Sequence, residues 1–224
     1  MAELLRHVGA AVVIAIDGPG GVGKSTVARG VAAARGLEHL DTGSTYRAAT
    51  LAVLRAGVDP GDAPAVVAVV THADIAYVDG VVCLDGERVG AEVRSEEVTA
   101  AVSAVSAVPD VRSHIVELQR GWVQDRGGSA VVEGRDIGTV VFPQAPVKVY
   151  LTARPEVRAA RRARDAEADG ADLDEIAAAL ASRDRKDSTR AASPLRPAAD
   201  AVTIDASDLS ATEVIALVLE LGAC

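Results

Sequence analysis

The nine residues Gly18-Pro19-Gly20-Gly21-Val22-Gly23-Lys24-Ser25-Thr26 constrain this chain more than any other stretch. They match G-x-x-x-x-G-K-[ST]. Before them lies an apolar run, residues 10–16, that reads as a buried strand. After them, residues 27–35 read as a helix. Strand, glycine-rich turn and helix together predict a loop that wraps a polyphosphate, with backbone N–H groups and a helix N-terminus aimed at negative charge. In such a loop Lys24 reaches the β- and γ-phosphates of a nucleoside triphosphate, and the Ser25 hydroxyl can ligate Mg²⁺. The bland alternative is an ordinary glycine-rich turn, and chance seldom supplies every fixed position in that context.

Four further β-rich runs, at 38–40, 130–133, 147–152 and 201–204, join residues 12–16 as candidate central strands. Helical stretches separate them, which predicts an α/β fold: a five-stranded parallel sheet with helices on both faces. Apolar residues make up 49% of the chain but aromatics only 2%, so the core must be built from Val, Ala, Leu and Ile. Ser210 and Glu213 form a capping box ahead of the last helix, and Gly36 and Gly222 stand where helices end. Asp79-Gly80 and Asp85-Gly86 break this rhythm by splitting three short apolar segments, the signature of an antiparallel meander with type I′ turns. The expected organisation is a core of residues 1–63 and 106–224, carrying an inserted substrate-binding module at 64–105. A charge-dense stretch at roughly 155–171 is the candidate helical lid.

The net charge of −9 argues against nucleic acid or an anionic membrane as partner. Only three lysines are present, Lys24, Lys148 and Lys186, so arginine must supply most anion-binding charge. Cys83 and Cys224 offer neither a disulfide framework nor metal-site spacing, as suits a reducing compartment. Arg6-His7 followed by apolar residues imitates a secretory signal. Glu3 is out of place in one, however, and the run leads directly into the phosphate loop and is too short to span a membrane. A cytoplasmic protein is expected.

Two more blocks fall at the carboxyl ends of predicted parallel strands, where ligands bind in open α/β sheets. One is Asp41-Thr42-Gly43-Ser44-Thr45-Tyr46-Arg47; the other is Glu133-Gly134-Arg135-Asp136. The first also matches the D-T-G-[ST] signature of aspartic proteases, but those need two such loops on an all-β scaffold. His7, His39, His72 and His114 show no metal spacing and read as ordinary. Trp122 reads as helix packing, and Asp17 either tunes the phosphate loop or caps its turn.

Taken in order, the motifs are the phosphate loop, D-T-G-x-x-Y-R, S-x-V-S-A-V-P-x-V-R (103–112), G-R-D-I-G-T-V-V-F-P (134–143) and R-D-x-x-D-x-x-R (183–190). This succession resembles the bacterial cytidylate kinase family from about residue 12 to the C-terminus. The resemblance implies transfer of the ATP γ-phosphoryl group to CMP or dCMP, with Mg²⁺, by a monomer. It implies that residues Gly18 to Thr26 and Arg161 hold ATP. Arg47, Arg135 and Arg190 would grip the acceptor phosphate, Tyr46, Arg183 and Asp187 the ribose, and Ser103, Arg112 and Asp136 the base, with Thr42 beside them. Lys24, Arg135, Arg158, Arg162 and Arg190 would stabilise the transfer. In one departure, Glu133 stands where the family usually has Asp, so any metal or water contact made there is shifted by a methylene.

Residue chemistry supports that picture independently. The nucleophile would be an ionised phosphate oxygen, so no general base is required, only positioning and fixed cations. Arginine's planar fork suits phosphate. Arg183, Asp187 and Arg190 are spaced to share one helix face, either as a binding surface or as a solvated ion pair. Arg158, Arg161 and Arg162 form a second stripe, either a lid over ATP or a solvated face pairing with Glu156 and Asp165. Cytosine presents a donor amine that a carboxylate accepts, whereas uracil would set a carbonyl against Asp136. The rivals are a kinase for another small acceptor, such as UMP or shikimate, and a regulatory GTPase. The last generally carries N-K-x-D, and this chain has no asparagine.

Overall fold

In the computed structural model, which describes residues 11–164 and 172–222, β1 (Val13–Asp17) lies at the centre and is buried along its whole length. α1 (Lys24–Arg35), β2 (His39–Asp41), α2 (Thr42–Arg55) and α3 (Ala63–His72) follow. β3 (Ile75–Val78), β4 (Val81–Leu84) and β5 (Glu87–Arg88) come next, then α4 (Glu96–Val105) and α5 (Pro109–Gln124). The chain returns through β6 (Ala130–Gly134), a π turn (Ile137–Val141), β7 (Val147–Thr152), α6 (Pro155–Ala163) and α7 (Leu173–Thr189). It finishes with β8 (Val202–Asp205) and α8 (Ala211–Leu221).

Five strands form a sheet in the order β2-β6-β1-β7-β8, and every pairing is parallel. Alternation along β1 divides the core. Val13 and Ala15 face one apolar cluster with α2 and α5, whereas Ile14 and Ile16 face another with α1 and α8. Both clusters are largely Val, Ala, Ile and Leu, as the scarcity of aromatics requires. At 43% exposure, Val202 marks β8 as an edge. No helix among the described residues is long and apolar enough to cross a membrane.

β3, β4 and β5 form a separate antiparallel sheet. Its turns carry positive φ at both central residues, 49° and 76° at Asp79-Gly80 and 51° and 80° at Asp85-Gly86, the I′ geometry that Asp-Gly favours. Val66, Val82, Val98 and Val102 of segment 64–105 are buried in the same cluster as Ala15, Leu40 and Val132 of the main sheet. Trp122 on α5 ties the two parts together. Its indole N–H donates to the Tyr77 carbonyl at 2.8 Å, its ring meets Tyr77 edge-on at 5.9 Å, and Arg126 stacks on it at 3.8 Å. The packing role expected for Trp122 is the one observed.

Helix ends follow local chemistry. The Ser210–Glu213 capping box is formed, and the Gly36 N–H bonds back to the carbonyls of Ala32 and Ala33. Pro109 opens α5. Asp41 does more than end β2: it is the N-cap of α2, its carboxylate accepting the Ser44 N–H at 3.3 Å. The D-T-G block is therefore a strand-to-helix junction rather than a protease loop.

Candidate active site

The phosphate loop runs from the end of β1 into α1, and two glycines there cannot be replaced without strain. A Cβ at Gly18 (φ +150°) would lie 2.3 Å from the Leu151 carbonyl oxygen, and one at Gly21 (φ +77°) 2.9 Å from that of Arg158. α1 begins with no side-chain cap and no acidic residue in its first turn, so its leading N–H groups are left for an anion. Lys24 folds back to donate to the Pro19 carbonyl at 2.9 Å. Burial, and then the Arg135 guanidinium, push its ammonium down to about 7. A polyphosphate would draw the proton back.

Beside the loop opens a cavity of about 200 Å³ at the carboxyl ends of β2 and β6. Gly20, Gly21, Lys24 and Ser25 form one wall. Thr42, Tyr46, Arg47, Arg112, Arg135, Asp136, Arg162, Arg183, Asp187 and Arg190 line the rest. Nearly all the residues expected at the acceptor side thus share one space. Several buried polar atoms within it have no partner among the described residues: the Tyr46 hydroxyl, Nε of Arg112 and Nη2 of Arg190. Burial pushes the Tyr46 phenol up to about 12, so it remains a donor. Arginines crowd one another. Burial and then Arg135 lower Arg183 to about 10, and burial and then Arg112 lower Arg190. An anion entering here would relieve both effects.

At one end Arg112 Nη2 donates to Asp136 at 2.5 Å, with both side chains about 5% exposed, and the Arg112 guanidinium lies 5.0 Å over the Tyr46 ring. Arg47 donates from Nη1 to the Val93 carbonyl at 3.0 Å and to Thr99 at 2.8 Å, which links it to segment 64–105.

Several expectations need correction. Ser103 does not line this cavity; it borders a groove between α4 and α7, and Ser106 stands in the cavity instead, its carbonyl accepting from Arg112 at 3.1 Å. The shared helix face of Arg183, Asp187 and Arg190 is incomplete, because α7 ends at Thr189 and Arg190 has extended backbone. Arg190 still reaches the cavity, donating from Nε to the Ser193 carbonyl at 2.5 Å.

The stripe on α6 is not a solvated face. Arg158 Nε donates to the Gly20 carbonyl at 2.6 Å, while Arg161 donates to the carbonyls of Val22 at 3.0 Å and Ala206 at 2.6 Å. Glu156 pairs with Arg154, not with the stripe. Arg161 also lines a second cavity, of about 480 Å³, on the far side of the loop with Gly23, Thr26 and Leu209. Asp165 and residues 165–171 of the expected lid lie outside the described residues, as do His7 and Cys224.

Four residues carry more than the sequence suggested. Asp17 does more than tune the loop, where its charge favours the Lys24 ammonium: its two carboxylate oxygens accept the N–H groups of Ile137 and Gly138, each at 2.8 Å, fastening the G-R-D block to β1. Burial pushes that carboxyl up to about 6 against these bonds. Asp184, quoted in the motif but given no role, accepts the Gly20 N–H at 3.3 Å and Arg135 at 3.1 Å and pairs with Arg158. Asp41 lines the cavity, its carboxyl raised by burial and by the adjacent Glu133. His39, read as ordinary, meets Glu133 at 2.9 Å, and Glu133 in turn accepts the Ser25 hydroxyl at 3.0 Å. A histidine two residues before the Asp of D-T-G was the one available signal.

Residues 14–223 match the family model for cytidylate kinase. The chain belongs to the cytidylate kinase family. A cytidylate kinase of Mycobacterium leprae (strain Br4923) is 53% identical over 212 residues, covering 94% of this chain and 95% of its own. One from Corynebacterium efficiens is 51% identical over 216 residues, covering 94% of each. Among solved structures, an uncharacterized protein from Eubacterium ventriosum ATCC 27560 superposes with a TM-score of 0.53 at 12% identity, over 94% of this chain and 97% of its own. That likeness concerns the fold alone.

Proposed function

We propose that the enzyme transfers the γ-phosphoryl group of ATP to CMP or dCMP, giving ADP and the cytidine diphosphate. The observation that carries this reading is the buried Arg112–Asp136 pair at the end of an arginine-lined cavity that opens onto the phosphate loop. Asp136 would accept from the cytosine amine and Arg112 would donate to its ring acceptors; the partnerless Arg112 Nε supplies a further donor. Tyr46, Arg183 and Asp187 would meet the ribose. Arg47, Arg135 and Arg190 would hold the acceptor phosphate, and Arg135, Arg158, Arg162 and Lys24 would neutralise charge on the moving group. Segment 64–105 would serve as the acceptor module, and the stretch that begins with α6, roughly 155–171, as the lid.

The donor would lie along the loop, its phosphates at the N-terminus of α1 and its nucleoside in the cavity bordered by Arg161, Thr26 and Leu209. Ser25 and Glu133 offer hard oxygen donors of the kind Mg²⁺ accepts alongside phosphate oxygens, so these residues fit that ion. Held by these residues, the ion would supply positive charge to offset that of the donor phosphates. The acceptor phosphate is already anionic, and the side chains need only hold it in line and exclude water, while the donor polyphosphate keeps Lys24 protonated. We take the enzyme to act as a monomer in the cytoplasm.

A coupled ATP-consumption assay over CMP, dCMP, UMP, AMP, GMP and shikimate tests the reading. CMP and dCMP should turn over fastest. Rapid turnover of another acceptor with CMP inactive would overturn it. Light scattering on a sizing column would show one chain per particle.

A further inference from the structure

Glu133, at the carboxyl end of β6, reaches partners on two different elements. Its side chain is 3% exposed. One carboxylate oxygen accepts the Ser25 hydroxyl at 3.0 Å, and the other meets His39 Nε2 at 2.9 Å. β2 and β6 run parallel with Asp41 opposite Glu133, which sets His39 two residues back along β2 on the same face as Asp41. Glu133 therefore spans from the phosphate loop on one side to the start of β2 on the other. His39 also borders a separate cavity of about 510 Å³, shared with Arg29, Tyr77 and Arg94, so its ring stands between that space and the active site.

We infer that His39 is a positioning residue for phosphoryl transfer: by donating to Glu133 it fixes the carboxylate that accepts the Ser25 O–H, and so leaves the Ser25 oxygen lone pairs for the cation. The inference rests on the kinase reading above. A glutamate has three rotatable bonds, and a buried carboxylate oxygen that loses its donor must turn to find another. Any such turn breaks the bond to Ser25. His39 touches neither substrate; its effect passes entirely through Glu133. Partners of this outer kind commonly change metal affinity by about 10–100-fold.

The test is the gain in ATP affinity that Mg²⁺ confers, measured calorimetrically as the ratio of dissociation constants in EDTA and in Mg²⁺, with no acceptor and no turnover. His39→Leu should reduce that ratio about 10-fold. Affinity for CMP, and for ATP in EDTA, should stay within about twofold of wild type. His39→Gln, which keeps an N–H donor at similar reach, should restore the ratio, whereas the shorter His39→Asn should not. In a Glu133→Asp background, whose carboxylate cannot reach both partners, His39→Leu should cost nothing further. An unchanged ratio, an equal loss with and without Mg²⁺, or full additivity with Glu133→Asp would overturn the role. Should His39→Leu fail to fold, the Gln and Asn pair decides alone. If the wild-type protein shows neither a Mg²⁺-dependent gain nor CMP-dependent ADP formation, the kinase reading falls; a wild-type gain that survives every His39 change removes only His39.

Discussion

The donor side of the cavity is written in nine consecutive residues, whereas the acceptor side is gathered from α2, α5, the end of β6 and the C-terminal half of α7. The difference is one of how geometry is enforced. The loop carries its own shape, because Gly18 and Gly21 sit against fixed carbonyls and Gly23 opens α1. The acceptor wall has no shape until the sheet assembles. Asp17 must bind Ile137 and Gly138, Arg47 must reach Val93, and Trp122 must hold the meander before those side chains face one another. A local motif therefore reports a reaction class, and a folded constellation reports a substrate.

Changes confined to one side should separate the two. Lys24→Ala should lower the transfer rate about 1,000-fold while circular dichroism and CMP affinity stay unchanged, since it removes charge stabilisation from the donor side only. If the rate survives, the loop is not the cradle. Arg190→Ala should lower kcat/KM for CMP about 100-fold, the loss expected when charge-assisted bonds to a phosphate are removed. ATP affinity should hold, and an equal loss for both substrates would dissolve the division. Asp136→Ala should erode the preference for CMP over UMP about 10-fold or more, read from kcat/KM for each acceptor. Equal loss for both would reassign the base-reading role.

A smaller effect sharpens the donor side alone. Because the free Lys24 ammonium is lowered to about 7 and a bound polyphosphate favours the charged form, ATP binding should take up a proton near neutral pH. Affinity should fall as pH rises above that value, by about fivefold from pH 7 to 8. Calorimetry in buffers of differing ionisation enthalpy reads the uptake, and Lys24→Met should flatten it. An affinity that stays flat from pH 7 to 8, with no proton uptake, would show the lysine already charged in the free enzyme.

The sequence was most legible where one residue type answers one local demand. The buried central strand, the Asp-Gly turns, the Ser210 capping box and the phosphate loop were all readable, and all five strands form within a residue or so of where they were expected. What escaped depends on distance. Ser103 lies in the last turn of α4 and Ser106 just past its end, and only the packing of α4 decides which meets Arg112. His39 carried no spacing signal, because its partner comes from a strand about ninety residues later, joined only by register. Asp184 lay inside a recognised motif, yet its partners belong to the loop, the residue after β6 and α6.

Asp184 has a consequence for how this enzyme meets its nucleotide. Its carboxylate already occupies a loop N–H and two of the arginines that a transferring phosphoryl group would use. An incoming phosphate is thus traded for an internal counter-ion rather than added to a bare positive site. The measured affinity becomes a difference between two anions competing for the same donors, and its dependence on salt should be shallower than the number of arginines would suggest.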